Sequence, residues 1–238
     1  MEKEINKNHW WVKFRKTELN LSVLLCVLVI TVFIIYPVTD KGLFSEMVFV
    51  FFVCLVFISG IFSITHKRNE RAIAITFSLL LLVSAIIILS QNLGVTNVIM
   101  LAIMDVYLLV LSLLLLKKTF SNELTVVHRI LGAVAVYILF ALIFSFAYRI
   151  IFLLDNTSIH FHNIQNATGK AAPFEFMYFS FIILTTMGYG EVIPVGHYAQ
   201  SLAMVESMLG ILFPSVLIAR LIGMAPAKKD TEKMHSAN

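Results

Sequence analysis

A series of long apolar runs constrains this chain more than any other feature. A helix that spans a bilayer needs about 20 predominantly apolar residues. Six runs reach or approach that length: Leu19 to about Tyr36, about Met47 to Thr65, Ala72 to about Ser90, Val98 to Leu116, about Ile130 to Leu154, and about His197 to Gly223. Pro37 closes the first, and the turn-forming stretch Gln91 to Asn97 separates the third from the fourth. Composition agrees, because 59% of the 238 residues are apolar and only 13% are charged. A soluble domain is about half apolar and roughly a quarter charged. The balance excludes a disordered chain and a nucleic-acid-binding tail, and it argues against a soluble enzyme. Cys26 and Cys54 both lie inside apolar runs and read as small buried hydrophobes.

The basic residues set a topology. With both termini on the cytoplasmic side, all 18 Lys and Arg fall in cytoplasmic segments except Lys41, Arg149 and Lys170. That asymmetry follows the positive-inside rule and predicts a multi-pass protein of the cell membrane with six spans. Trp10, Trp11 and Phe14 sit among Lys13, Arg15 and Lys16, a mixture suited to the headgroup layer. The spans divide the chain into an interfacial N-terminal segment (1–18), a four-helix transmembrane part (19–116), a cytoplasmic linker (117–128), a final two-span unit (129–224) and a short cytoplasmic tail (225–238).

The connection between the fifth and sixth runs is unusual. Asp155 to Ala172 is polar, Pro173 follows, and Phe174 to Leu184 is an apolar stretch of 11 residues. That is too short to span and fits a re-entrant helix. Irregular backbone at membrane depth is tolerated only where protein buries it or where it lines a water-filled cavity. Directly after this stretch comes Thr185-Thr186-Met187-Gly188-Tyr189-Gly190. The segment resembles the T-V-G-Y-G signature of potassium channels. Phe179-Ser180-Phe181, Pro194, Ser201-Leu202-Ala203, Glu206, Gly210 and Leu217 to Leu221 extend the likeness to bacterial ion-channel proteins, over about residues 129–223.

The resemblance implies an all-α membrane fold: six transmembrane helices with a re-entrant pore helix and filter loop, assembled as a homotetramer in the bilayer. It implies passive potassium conduction, with no cofactor beyond the ions in the filter, no enzymatic activity and no nucleic-acid partner. The coordinating groups would be the backbone carbonyls of Thr186, Met187, Gly188 and Tyr189, plus the Thr186 hydroxyl, with Gly190 completing the loop. Rings of carbonyls replace the hydration shell of a dehydrated cation. Gly188 and Gly190 suit the unusual dihedrals that such a loop needs. Thr185, Glu191 and Phe179 would support the filter. Three departures accompany the likeness: Met187 stands where Val is usual, Glu191 where Asp is usual, and Phe179 where many members have Trp. A relaxed, non-selective cation filter and a potassium transport subunit are the alternative readings.

Glu206, Gly210 and Pro214 share one helical stripe of the last span and are the gate and cavity candidates. Gly210 reads either as a hinge or as a packing contact. Glu206 either faces the cavity or is tucked behind the pore helix. The fourth run holds no Lys or Arg, and its one charge is Asp105. Arginine-rich helices act as voltage sensors because each charge gains about 2.3 kcal/mol per 100 mV. Little or no voltage dependence is therefore expected, and Asp105 is either a modulatory site or a hydrogen-bonded residue of the bundle. His160 and His162 lie in the outer loop, where their spacing alone does not make a metal site.

Overall fold

The structure, a computed structural model, describes residues 22–30, 32, 59, 94–120, 125–162 and 173–223. The third apolar run, all of the second except Ser59, part of the first and the tail lie outside these. Four helices and two short strands follow in order: α1 (Gly94–Thr119), α2 (Val126–Leu154), β1 (Ile159–Phe161), α3 (Pro173–Leu184), β2 (Val192–Pro194) and α4 (His197–Gly223). Residues 22–30 are also helical. Three of the helices, α1, α2 and α4, are long and apolar enough to cross a membrane. Helix α3 is not: at 12 residues and about 1.5 Å per residue it is roughly 18 Å long, against a hydrocarbon core of about 30 Å.

Two helix starts differ from the sequence expectation. Helix α1 begins at Gly94, inside the stretch expected to be a turn, and α2 begins at Val126 rather than near Ile130. The first turn of a helix has no internal partner for its N–H groups. Residues that favour turns therefore disturb a helix least at that end. Thr125 adopts an extended conformation before α2, and its hydroxyl pairs with His128 Nδ1 at 2.6 Å. Pro173 opens α3 at the first helical position, where its missing N–H has no partner to lose.

Helices α1 and α2 pack together. Leu101, Met104, Leu108, Leu111 and Leu115 alternate steps of three and four along one stripe of α1. They meet Ala135, Val136, Leu139, Leu142 and Phe146 of α2, with Leu24, Leu28 and Val32 joining the same cluster. A second cluster lies toward the C-terminal end of α2: Phe144, Tyr148, Ile159, Phe176, Phe179, Ile182 and Ala199. It is largely aromatic. Phe152 and Phe161 each contact the Phe176 ring, at centroid distances of 5.4 and 5.5 Å, and Tyr148 lies 4.7 Å from Phe179.

Strands β1 and β2 pair antiparallel, with His160 opposite Ile193. The helical reading of the sequence did not include this ribbon. It ties the end of α2 to the segment preceding α4. A turn makes the approach: Asp155 Oδ1 accepts the Thr157 N–H (3.0 Å) and hydroxyl (2.6 Å). The carbonyl of Ser158 then accepts the N–H groups of Val195 and Gly196 at 2.8 and 2.9 Å.

The two bonds from Thr157 hold the exposed Asp155 carboxyl below its ordinary range. A depressed value means that the ionised form is the one stabilised in the folded turn. Its contribution is therefore complete above the usual carboxylate value, about 3.9, and is lost as pH falls through the lowered one. Hydrogen exchange at the Thr157 amide should show protection unchanged from neutral pH down to about pH 5, with opening only in stronger acid. Asp155→Asn should remove that acid step.

Candidate functional site

The candidate site begins where α3 ends. The last carbonyls of a helix lack internal partners. Here the following loop supplies them. Thr186 N–H donates to the Ile183 carbonyl at 2.8 Å, and the Met187 and Gly188 N–H groups converge on the Ile182 carbonyl at 2.8 and 3.2 Å. In a planar trans peptide the C=O points opposite to the N–H of the next residue. No peptide bond among the described residues is cis. The carbonyls of Thr185, Thr186 and Met187 are thereby turned away from those helix acceptors.

The loop backbone alternates. Thr186, Gly188 and Gly190 all have positive φ, at 60°, 48° and 83°. The two glycines take this region freely. For a β-branched residue it is a true outlier, with a strain of about 1–3 kcal/mol. Sequence reasoning marked the glycines for this conformation and missed Thr186, because nothing in a threonine signals it. Residues 185 to 191 are all exposed in the single chain. Tyr189 is 60% exposed and Met187 57%, and the Tyr189 hydroxyl donates to Met187 Sδ at 3.6 Å.

Several groups brace the loop. Thr185 Oγ1 donates to the Phe181 carbonyl (2.7 Å), and Tyr137 of α2 donates to the Leu184 carbonyl (2.9 Å). After the loop, Glu191 is held twice: its carbonyl accepts the His162 N–H at 2.8 Å, and its carboxylate accepts the Tyr178 hydroxyl at 3.1 Å. Phe179, the other residue expected to support the filter, has its ring buried in the aromatic cluster against Tyr148. The neighbouring residue on α3, Tyr178, supplies the polar contact. A one-residue step on a helix rotates the side chain by about 100°, and spacing alone did not reveal which residue faced the loop.

Glu206 is completely buried, between α2, α3 and α4. The Tyr148 hydroxyl donates to its Oε2 at 2.7 Å. Its Oε1 meets Ser180 Oγ, which also lies 2.7 Å from the Ala141 carbonyl oxygen. Of the two orientations open in the sequence, the structure has the one tucked behind α3. Tyr148, Ser180 and Tyr137 were not singled out as site residues, because a lone Tyr or Ser in an apolar run carries no signal of its partner.

Gly210, one turn further along α4, is buried where α4 crosses the end of α3. A Cβ there would overlap the Leu184 backbone carbonyl. Its place in the structure is therefore a close packing contact. The helix continues without interruption through Gly210 and Pro214 to Gly223. Asp105 sits partly buried midway along α1, and its Oδ1 is buried with no hydrogen-bond partner among the described residues. The His160 and His162 rings are 4.8 Å apart. No cluster of three or more metal-ligating side chains occurs among the described residues.

Residues 132–225 match a family model described as an ion channel. This stretch is similar to an ion-channel domain. It runs from within α2 past the end of α4, and so contains α3, the loop, the Glu206 cluster and the Gly210 crossing. No curated protein and no solved structure matches the chain.

The crossing yields a clean test. Gly210→Ala should destabilise the detergent-solubilised protein by about 1–3 kcal/mol, the usual range for overpacking. The obstructing atom is backbone and cannot swing aside. Gly223→Ala, where a Cβ would meet nothing within 4 Å, should leave thermal unfolding unchanged.

Proposed function

We propose that this chain is one subunit of a homotetrameric, potassium-selective channel that conducts passively, with little or no voltage dependence. The observation that carries the reading is the loop after α3. Its first three N–H groups, from Thr186, Met187 and Gly188, are spent on the helix end, and the Thr185, Thr186 and Met187 carbonyls turn the other way over a backbone of alternating handedness. Such a row of oxygens is what a dehydrated cation needs, and a complete coordination shell requires rings of them. One chain supplies one row. Four copies around a closed axis would supply the rings, built from the Thr186, Met187, Gly188 and Tyr189 carbonyls and the Thr186 hydroxyl.

Exposure supports assembly. Within one chain α4 buries only Ala199, Glu206 and Gly210, while large apolar residues such as Met204, Met208, Ile211 and Val216 are exposed. Lipid and neighbouring subunits would cover them. In this reading residues 129–224 form the pore unit and 19–116 a four-helix unit, with both termini cytoplasmic in a cell membrane. The basic residues of α1 are Lys117 and Lys118, in its last turn. Each charge moved through 100 mV is worth about 2.3 kcal/mol, and α1 carries no basic residue at membrane depth to serve as such a gating charge. No cofactor takes part, and potassium is the cargo.

A reversal potential in planar bilayers, with potassium on one side and sodium on the other, tests the reading. It should lie near the potassium equilibrium potential, with current not steeply dependent on voltage. A reversal near zero would replace this reading with a non-selective cation channel. Gly188→Ala places a side chain at a positive φ and should abolish selective conduction while the helix bundle stays folded. Conduction like the parent's would remove the loop from its filter role.

A further inference from the structure

We infer that Glu206 is carried as the neutral carboxylic acid and serves as a positioning residue, donating to Ser180 and so linking α4 to α2 through α3. The argument is a count of protons. Ser180 Oγ lies at hydrogen-bond distance from two oxygens, the Ala141 carbonyl at 2.7 Å and Glu206 Oε1. A carbonyl oxygen can only accept. An ionised carboxylate can also only accept, and a serine hydroxyl has one proton to give. With Glu206 ionised, one of the two contacts would be a close approach of oxygen lone pairs with no hydrogen between them. A proton on Oε1 satisfies every group in sequence: Tyr148 O–H donates to Oε2, Oε1–H donates to Ser180 Oγ, and Ser180 O–H donates to the Ala141 carbonyl.

Burial points the same way. Glu206, Ser180 and Tyr148 are all fully buried. A charge taken that far from water is costly unless an opposite charge compensates it. The groups facing Glu206 are Tyr148 from α2 and Ser180 from α3, with Tyr137 of α2 the next titratable side chain. None of them is cationic. The nearer end of α3 belongs to the loop described above, so the chain of donors fixes the base of that loop. This consequence for conduction rests on the proposed channel function, whereas the proton assignment does not.

The full-length protein in phosphatidylethanolamine–phosphatidylglycerol vesicles permits two readouts. Infrared spectroscopy at about pH 7, well above the ordinary carboxylate range, should show a protonated-carboxyl C=O band that disappears in Glu206→Gln. Potassium flux should survive in Glu206→Gln, whose amide donates to Ser180 and accepts from Tyr148 as the acid does. Glu206→Leu and Ser180→Ala should lose most of it. Absence of the band in the wild type would overturn the assignment, whatever the flux. A Glu206→Gln variant as impaired as Glu206→Leu would overturn the positioning role. A wild type that shows the band yet passes no ions would count against the channel reading while supporting the proton.

Discussion

The end of α3 governs the rest of this molecule. A helix leaves its last carbonyls without internal partners. The chain answers with the next three N–H groups, from Thr186, Met187 and Gly188. Peptide planarity then dictates that the carbonyls of the preceding residues point the other way. The orientation of the loop oxygens is thus a by-product of terminating the helix. The strain at Thr186 is part of the same solution, because each reversal of direction requires a left-handed residue.

A loop so constrained needs a rigid base, and three helices provide it. Tyr137 holds the last carbonyl of α3, the Tyr148–Glu206–Ser180 chain binds its middle, and Gly210 lets α4 approach its end at backbone contact. Beyond the loop, the β1–β2 pairing and the two bonds to Glu191 anchor the exit. Polar contacts between membrane helices are individually modest, averaging about 0.6 kcal/mol. Their value here is directional. Apolar packing would accept many rotations of α3, whereas this set of donors and acceptors accepts one.

Much of this was legible in the sequence. The α4 range, the proline-opened helix and the two glycines with positive φ follow from span length, the special geometry of proline and the missing Cβ of glycine. Other features were not. The start of α1 at Gly94 overrode residues that favour turns, since a first helical turn has few hydrogen bonds to lose. The contact from Tyr178 to Glu191 depended on the rotation of α3 about its axis. The strands β1 and β2 are three residues each and carry no periodic signal long enough to read.

The sequence by itself determined that the chain has helices able to cross a membrane, that one apolar stretch cannot, and that a glycine-rich loop follows it. These are consequences of length and residue type, which are local properties. Only the tertiary structure decided that Glu206 faces Ser180 and Tyr148 rather than a cavity, and that Gly210 is a contact point rather than a break in the helix. Both depend on which faces of three helices meet. An almost uniformly apolar helix carries too weak an amphipathic pattern to specify that in advance.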